Sequence, residues 1–298
     1  MPVSFVVTGA TGFVGRVLCA ALPSECHALS LGSAQWEVAI RSAPLAGATI
    51  FHLAARVHDP HDRDAAAFER DNVGKTRVLA EEAVRQGARR IVLLSSVKVH
   101  GEETQGRAFG PQDVPAPGDA YARSKLGAEN VTRQLAGAGG IEWTIVRSPL
   151  VFGPGAKANL ASLMRLADTP WPLPFAALAN RRSFVHATDL ARLLVTCGEA
   201  ASAVGQVFLA AHPEPASTAD IVVALRRALG RPARLFPIPP AVLETSAALA
   251  GQTERMRRLT RSLEVDASAA RERLGWQAAL GLDEAAADMA RAWRGHGA

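Results

Sequence analysis

The sequence is poor in cysteine and has no apolar run long enough to cross a bilayer. Its three cysteines, Cys19, Cys26 and Cys197, include no Cys-x-x-Cys pair. An odd count without that spacing suits reduced, buried thiols better than a disulfide framework. The chain enters a strand-like run at residues 3–7 without the basic and apolar regions of a signal peptide. We therefore expect a cytoplasmic protein that does not insert into membranes.

Aromatic residues are also scarce, at 5% of the 298 residues, whereas the formal net charge of +5 is basic. The densest basic stretch covers residues 255–258 together with Arg261, and no aromatic residue interleaves it. Nucleic-acid-binding proteins carry recognisable motifs, and the sequence shows none of them. We expect no nucleic-acid partner, and a phosphorylated small molecule accounts for the basic stretch.

The first half of the chain alternates short apolar runs with longer helical patterns. The strand-like runs cover residues 3–7, 28–31, 49–53, 91–94 and 143–146, and the helical stretches begin at Gly12 and cover 72–86 and 121–135. Strands that alternate with helices predict a parallel sheet covered on both faces. We therefore predict an α/β fold with a Rossmann-like, doubly wound parallel sheet.

A glycine-rich turn follows the first strand-like run. Gly9, Gly12 and Gly15 lie between that run and the first helical stretch. Glycines there permit a tight turn and close backbone approach, so that the helix N-terminus faces a pyrophosphate. Because the strand and the helix are predicted in the right order, we expect a dinucleotide cofactor here. A purely structural turn is the alternative.

After Pro149 the pattern changes to proline-rich segments and isolated helices, such as 219–229 and 282–293. Residues 207–209 resemble one more strand that returns to the sheet. We predict a dinucleotide-binding domain over 1–149 with a return segment over 184–211. A smaller substrate-binding domain, interleaved in sequence, would take most of 150–298.

The chain has a single tyrosine, Tyr121, and Lys125, one of only four lysines, follows it by four positions. In a helix this spacing places the two side chains on one face, a turn apart. A fixed ammonium favours the phenolate and therefore lowers the pKa of a phenol that titrates near ~10 in water. The pair predicts the acid/base group of a hydride-transfer enzyme.

Ser95 and Ser96 follow the apolar run 91–94 and would present hydroxyls at the carboxyl end of the sheet, where open α/β sheets bind ligands. A serine pair after a strand is on its own a turn signal. Together with Tyr121 and Lys125, Ser96 becomes a third catalytic candidate. Its hydroxyl could donate to the substrate oxygen whose proton Tyr121 transfers.

With these motifs the chain resembles the extended short-chain dehydrogenase/reductases that act on nucleotide sugars, nearly from end to end. The matching segments are 8–15, 52–55, 72–76, 95–101, 121–125, 147–155, 182–190 and 274–276. Within the family, segments 54–58, 95–102, 149–159 and 180–183 are similar to UDP-sugar 4-epimerase-like and UDP-N-acetylquinovosamine 4-dehydrogenase proteins of bacterial surface-polysaccharide synthesis.

The resemblance implies roles for individual residues. Arg182 would pair with the pyrophosphate of the substrate, for which a guanidinium fork is suited, and Arg258 is a second candidate. Asn72 would brace the sheet edge on the nicotinamide side. The implied cofactor contacts are Gly9, Thr11, Gly12, Phe13, Val14, Gly15, Leu53, Ala54, Ala55, Asn72, Ser95, Tyr121 and Lys125. The implied catalytic residues are Ser96, Tyr121 and Lys125, and the implied substrate contacts are Ser96, Asn159, Arg182 and Arg258.

Departures from the family pattern narrow the chemistry. Dehydratases carry Asp-Glu after the catalytic Ser or Thr, whereas Val97 and Lys98 stand here, so dehydration is not expected. His100 replaces a usual tyrosine and Leu150 a frequent asparagine, which weakens the analogy with ordinary epimerases. We expect a 4-keto-reductase or 4-dehydrogenase acting on a UDP-sugar. The alternatives are a UDP-sugar 4-epimerase that retains NAD, and a non-catalytic cofactor-binding sensor or scaffold.

The adenosine end of the predicted cofactor site leaves NAD and NADP open. The second strand ends in residues 30–33 without the acidic residue that binds a ribose 2′-hydroxyl in NAD-specific sites. Arg16 and Arg41 are candidates for contact with a 2′-phosphate.

Two further expectations concern partners. Residues 58–64 have metal-ligand spacing, but they form a polar stretch without a distant ligand set, so we expect no metal. The resemblance implies a homodimer formed through the helices 72–86 and 121–135, although their apolar stripes could equally belong to the core.

Overall fold

The computed structural model describes residues 5–57, 64–156 and 159–295, without the side chain of Asn159. Residues 58–64, where no metal is expected, lie outside these ranges except for Asp64. The central element is a sheet of six parallel strands, which are β1 (Phe5–Thr8), β2 (His27–Leu29), β3 (Thr49–His52), β4 (Arg90–Ser96), β5 (Glu142–Ser148) and β8 (Gln206–Leu209). Their order in the sheet is β2-β1-β3-β4-β5-β8. The predicted α/β class with a doubly wound parallel sheet is confirmed.

Helices follow most of the strands. They are α1 (Phe13–Ala21), α2 (Trp36–Ser42), α3 (Ala65–Phe68), α4 (Lys75–Gln86), α5 (Ala120–Ala138), α6 (Asn159–Ala167), α7 (Ala187–Glu199), α8 (Thr218–Ala228), α9 (Pro240–Leu249), α10 (Thr253–Thr260), α11 (Ser268–Leu274) and α12 (Leu282–Gly295). A π-helical turn, Glu69–Gly74, joins α3 to α4. In the ranges that the structure describes, no helix has both the length and the apolar character needed to span a membrane.

Neighbouring residues of the strands point to opposite faces of the sheet, as the pleat requires. Val7, Phe51 and Val92 pack with α1 and α7 on one face. Val6 and Ile50, each one position earlier, pack with α2 and α4 on the other face. Both faces are therefore covered, which explains why the strands read as continuous apolar runs in the sequence.

A second sheet lies apart from the first. Its two parallel strands are β6 (Leu150–Phe152) and β7 (Phe184–His186). Phe152 and Phe184 pack there with α6, α8 and α12 in a hydrophobic cluster of their own. The predicted boundary at residue 149 falls just before β6, and the division into two domains stays a prediction.

The last quarter of the chain returns to both halves. Residues 262–266 hydrogen-bond through their backbone to the segments around 104–109 and 181–183. These bonds include Thr104 N–H to Ser262 O at 2.8 Å, Phe109 N–H to Glu264 O at 2.9 Å, Ser183 N–H to Leu263 O at 3.0 Å and Leu263 N–H to Arg181 O at 2.8 Å.

Residues beyond α10 also complete the first core. Ala270, Trp276 and Ala278 are buried in the cluster that contains Phe51 and Val92. The indole N–H of Trp276 donates to the carbonyl oxygen of Asp189 on α7 at 3.1 Å. The core of the six-stranded sheet therefore depends on residues from the far end of the chain.

Candidate active site

The glycine turn lies at the carboxyl end of β1 and touches the end of β3. Gly9 has a φ of +72°, and a Cβ there would lie 2.8 Å from the backbone nitrogen of Ala54. A Cβ on Gly15 would lie 2.0 Å from the carbonyl oxygen of Gly9. Both positions therefore require glycine. Gly12 caps α1 without a side-chain hydrogen bond, so no side chain competes for this helix N-terminus.

The other predicted cofactor contacts of the first half border this turn. Thr11 is exposed within it, and Phe13 and Val14 open α1. The hydroxyl oxygen of Thr8 accepts hydrogen bonds from the backbone N–H groups of Leu53 and Ala54, each at 3.1 Å. The segment Leu53, Ala54 and Ala55 is therefore held against the glycine turn.

Asn72 lies in the π-helical turn and is buried. Its Oδ1 accepts from the backbone N–H of Arg56 at 2.7 Å, and its Nδ2 donates to the carbonyl oxygen of Arg56 at 3.0 Å. Nδ2 also donates to Ser124 Oγ at 2.9 Å, and the Ser124 hydroxyl donates to the carbonyl oxygen of Tyr121 at 2.8 Å. Asn72 thus connects the segment after β3 to the first turn of α5.

His52 extends this network to β1, a role that the sequence analysis did not assign. Its Nδ1 lies 2.7 Å from Thr8 Oγ1, and its Nε2 lies 2.8 Å from Thr76 Oγ1. The Thr76 hydroxyl donates to the carbonyl oxygen of Asn72 at 2.5 Å. Burial, and then the charge of Lys125, lower the pKa of His52 to about 3, so the ring is neutral at pH 7.

The structure brings Ser96 and Tyr121 together. Ser96 ends β4 and Tyr121 lies in the first turn of α5, where the Asp119 carboxylate caps the helix by accepting from Ala122 N–H at 2.7 Å. The Ser96 hydroxyl hydrogen-bonds the Tyr121 phenol. Ser95 precedes this pair and is buried.

Lys125 is 3% exposed, and its Nζ donates to the carbonyl oxygen of Leu94 at 2.7 Å. Burial lowers the pKa of Lys125 to about 8, while Glu129, one turn further along α5, raises it. The lysine is therefore anchored to the strand that carries Ser96.

The predicted effect of Lys125 on the pKa of Tyr121 is not what the structure shows. Burial raises the pKa of Tyr121 to about 12, the Ser96 hydrogen bond lowers it, and the Asp119 carboxylate raises it again. The ammonium of Lys125 is bound to a carbonyl group. Desolvation of the phenol therefore outweighs the stabilisation that was expected for the phenolate.

A buried ion pair supports α5 and was missed in the sequence. Arg147 on β5 donates to both carboxylate oxygens of Glu129, at 2.9 and 2.6 Å. Burial raises the pKa of Glu129, but the hydrogen bonds from Arg147 lower it, and the net pKa lies below its usual value. Arg147 also contacts the Nε2 of His100 at 2.8 Å. Nothing local in the sequence marks a pair separated by 18 positions.

Lys98, which stands where dehydratases of the family carry an acid, belongs to a second ionic cluster. Its Nζ lies 2.5 Å from Asp119 and 3.0 Å from Glu102. Glu102 in turn is close enough to Arg182 to raise its pKa. These charges connect the N-terminus of α5 with the region of Arg182.

Arg182 and Arg258 line a largely apolar cavity of about 570 Å³ bounded by α6, α8 and α10. Arg165 and Arg255 line it as well, and the described lining residues include no carboxylate. Burial, and then the charge of Arg258, lower the pKa of Arg182 to about 10. Within the described residues, the Nε of Arg258 is buried without a hydrogen-bond partner. Such an excess of positive charge fits an anionic ligand.

A short segment of chain connects the strand beside Ser96 with the cavity. Ser96 pairs in register with Ser148 at the end of β5. Leu150, two residues after Ser148, lines the cavity. Asn159 is the first residue of α6, three positions before the cavity residue Ser162, and its side chain lies outside the described atoms.

In the structure, Lys75 lies at the predicted adenosine end of the cofactor site. Its Nζ donates to the carbonyl oxygen of Leu31 at 2.9 Å and lies 5.7 Å from the centre of the Trp36 ring. Arg16 instead donates to the carbonyl oxygen of Thr11 at 2.9 Å, beside the glycine turn. Arg41 is exposed in the last turn of α2.

The residues present fit a nicotinamide dinucleotide. The turn at Gly9 and Gly15 leaves no room for a side chain, and the uncapped N-terminus of α1 suits a pyrophosphate. Lys125 and Tyr121 follow at the same end of the sheet, where open α/β sheets bind ligands.

Comparison with known proteins gives a consistent result. Residues 5–211 match the NAD dependent epimerase/dehydratase family. A UDP-glucose 4-epimerase of Vibrio cholerae is 36% identical over 315 residues, which cover 98% of this chain and 96% of that protein.

Solved structures share the fold. The crystal structure of UDP-glucose 4-epimerase from Thermotoga maritima with UDP-glucose has a TM-score of 0.78 at 19% identity and covers 99% of this chain and 100% of its own. UDP-glucuronic acid 4-epimerase from Bacillus cereus in complex with NAD has a TM-score of 0.76 at 20% identity and covers 98% of this chain and 99% of its own.

Proposed function

Because the chain belongs to the NAD dependent epimerase/dehydratase family, we propose that it carries out reversible oxidation at C4 of a UDP-sugar, with 4-epimerisation as the outcome. The resemblance seen in the sequence is confirmed at the level of the family, as is the expectation of a nicotinamide cofactor. The relative from Vibrio cholerae, named a UDP-glucose 4-epimerase, favours epimerisation over the 4-keto-reduction expected from the sequence.

The observation that supports this proposal is the combination of two groups. The hydrogen-bonded hydroxyls of Ser96 and Tyr121 can exchange a proton with a sugar oxygen. The arginine-lined cavity next to them can hold the diphosphate and the base. A sugar joined to a nucleoside diphosphate would reach from one group to the other.

In the proposed mechanism, Ser96 donates a hydrogen bond to the C4 oxygen and Tyr121 takes or returns its proton. The protonated Lys125 lies one turn along α5 and would stabilise the phenolate once the site is filled. Arg182 and Arg258 bind the diphosphate and hold the sugar in reach. A bound nicotinamide would supply the acceptor and the donor for the hydride at C4. For epimerisation, the 4-keto sugar must rotate in the site, so that its carbonyl is reduced from the opposite face.

The test combines two measurements on purified full-length protein. Mass spectrometry of the gently denatured protein asks whether about one NAD per chain leaves with it. Incubation with UDP-glucose and, separately, UDP-galactose then asks whether each converts to the other without added cofactor. Tyr121→Phe should keep its cofactor and lose turnover by roughly 100-fold or more. Unchanged turnover in this variant would refute the assignment of the proton-transfer residue.

A 4-keto-reductase is the second candidate, and one feature favours it. The adenosine end has no acidic residue at positions 30–33, so the cofactor has fewer anchors and can exchange more readily. Protein that purifies without cofactor and oxidises NADH or NADPH only with a UDP-4-keto-sugar would establish this candidate. A sensor or scaffold role is disfavoured by the family and by the intact Ser96–Tyr121 pair.

A further inference from the structure

Two of the three thiols, those of Cys19 and Cys26, lie next to each other. The Sγ atoms of Cys19 and Cys26 are 3.2 Å apart, and both side chains are half-buried. Cys19 lies near the end of α1, and Cys26 directly precedes β2. Residues 23–25, which join them, are exposed. The sequence analysis expected reduced, buried thiols, whereas these two are only half-buried.

We propose that Cys19 and Cys26 are a modification site that closes to an intramolecular disulfide on reaction with a low-molecular-weight disulfide such as oxidised glutathione. The sulfurs need to approach by only ~1 Å to reach the bonding distance of ~2.05 Å. The loop that would close contains an exposed turn able to absorb this shift.

The reaction is thiol–disulfide exchange in two steps. The thiolate of Cys26 attacks one sulfur of the oxidant, which releases one glutathione and leaves a mixed disulfide on Cys26. The thiolate of Cys19 then attacks the Cys26 sulfur and releases the second glutathione. The two protein thiols lose two protons and two electrons, and the oxidant gains them as two thiols.

The surroundings of the two cysteines indicate that Cys26 reacts first and Cys19 second. Burial, and then the contact with Cys26, raise the pKa of Cys19 to about 12, so Cys19 is the poorer first nucleophile. Cys26 adjoins the exposed residues 23–25, which gives the oxidant access. Cys197 is 0% exposed in the core and serves as an internal control.

The location connects the pair to the proposed cofactor site. The helix α1 begins at the glycine turn, and β2 leads into residues 30–33, which flank the adenosine end. A disulfide here would fix the connection between these two elements without involving any residue placed in the catalytic or binding machinery.

The experiment is peptide mapping of the full-length protein after treatment with oxidised glutathione. Remaining thiols are alkylated under denaturing conditions. Trypsin leaves both cysteines in one peptide, residues 17–41, and cleavage after Glu25 then separates them. We expect the fragments 17–25 and 26–37 to stay joined until they are reduced, and Cys197 to be alkylated. Before alkylation, the intact mass of the treated protein should be lower than that of the untreated protein by two hydrogen atoms.

Variants make the test decisive. Cys197→Ser should form the same linked fragments, whereas Cys19→Ser should stop at a glutathione adduct on Cys26. Alkylated Cys19 and Cys26 in the treated wild-type protein would overturn the proposal. A stable glutathione adduct on each cysteine, or a disulfide between two chains, would overturn it as well.

Discussion

At the scale of single residues, the phenol of Tyr121 is governed by competing effects. Burial and the Asp119 carboxylate favour the neutral phenol, while the Ser96 hydroxyl favours the phenolate. Lys98 lies between Asp119 and Glu102 and partly balances their charge. The protein without ligands therefore stores the proton on Tyr121, and a bound substrate oxygen must change that balance.

The pKa of Tyr121 can be measured directly, because it is the only tyrosine in the chain. We expect the phenolate absorbance of the cofactor-free protein to appear at about pH 12. The denatured protein should titrate near ~10. Since the unfolded chain releases this proton first, Tyr121 makes the folded state less stable as the pH rises from ~10 to about 12. A folded protein that titrates at or below ~10 would contradict the burial argument.

Glu129 should control the charge of Lys125. Because the lowered pKa of Lys125 is about 8, activity that needs its ammonium should fall as the pH rises through that value. Glu129→Gln removes the nearby negative charge, so the alkaline limb of the profile of kcat should move to lower pH. The variant Arg133→Met removes the half-buried outer partner of Glu129 and keeps the Arg147 pair. An unmoved limb in Glu129→Gln would exclude this control.

At the scale of elements, the π-helical turn determines where α5 lies relative to β3. The turn carries Asn72, whose amide satisfies both backbone groups of Arg56 and also holds Ser124. π-Helical turns are frequent at functional sites. A regular helix would present position 72 at a different angle and lose part of this set of contacts.

Asn72→Ala should destabilise the protein by about 3 kcal/mol, because it removes the three hydrogen bonds that the buried Asn72 amide makes to the backbone of Arg56 and to Ser124. It should also lower kcat, since Ser124 and the first turn of α5 lose their support. Urea denaturation and steady-state kinetics measure the two effects. Asn130→Ala is the control, because Asn130 is exposed on α5 and its loss should cost less than about 0.5 kcal/mol.

The sequence predicted the strands of the six-stranded sheet well, because both faces of that sheet are covered and each strand is a continuous apolar run. It did not predict the short strands β6 and β7 of the second sheet. It predicted the glycine turn because Gly9 and Gly15 meet steric limits that no other residue satisfies. Interactions between distant segments carried no local signal. The Glu129–Arg147 pair, the position of Lys98 and the contact of Cys19 with Cys26 depend on how elements pack. The pKa of Tyr121 was predicted in the wrong direction because burial is a property of the folded chain.

At the scale of the whole molecule, positive charge is concentrated at one cavity. Arg165, Arg182, Arg255 and Arg258 face it from three separate parts of the chain, and Glu102 approaches from the side of the catalytic helix. An anionic substrate bound in this cavity would attract all four arginines and would therefore hold the segments that carry them together.

The predicted homodimer through α4 and α5 remains a proposal, which light scattering of the purified protein can test.

Arg182→Met should raise the KM for a UDP-sugar by about 10- to 100-fold, because one charge-assisted contact to phosphate is lost. The melting temperature should change little. Arg181→Met is the matched neighbour, since Arg181 pairs with Glu264 at 2.8 Å with its side chain 62% exposed. Equal effects of the two variants on KM would show that Arg182 has no special role in binding substrate.

The burial of Ala270, Trp276 and Ala278 beneath the six-stranded sheet has a consequence for synthesis on the ribosome. Chains are made from the N-terminus, and domains generally fold as units while they emerge. Here the strands that carry the glycine turn and Ser96 leave the exit tunnel early, but their core lacks Trp276 until nearly the whole chain has been translated. A nascent chain stalled before α11 should therefore expose apolar sheet surface and depend on chaperones, even though all the residues proposed to contact the cofactor have already been synthesised.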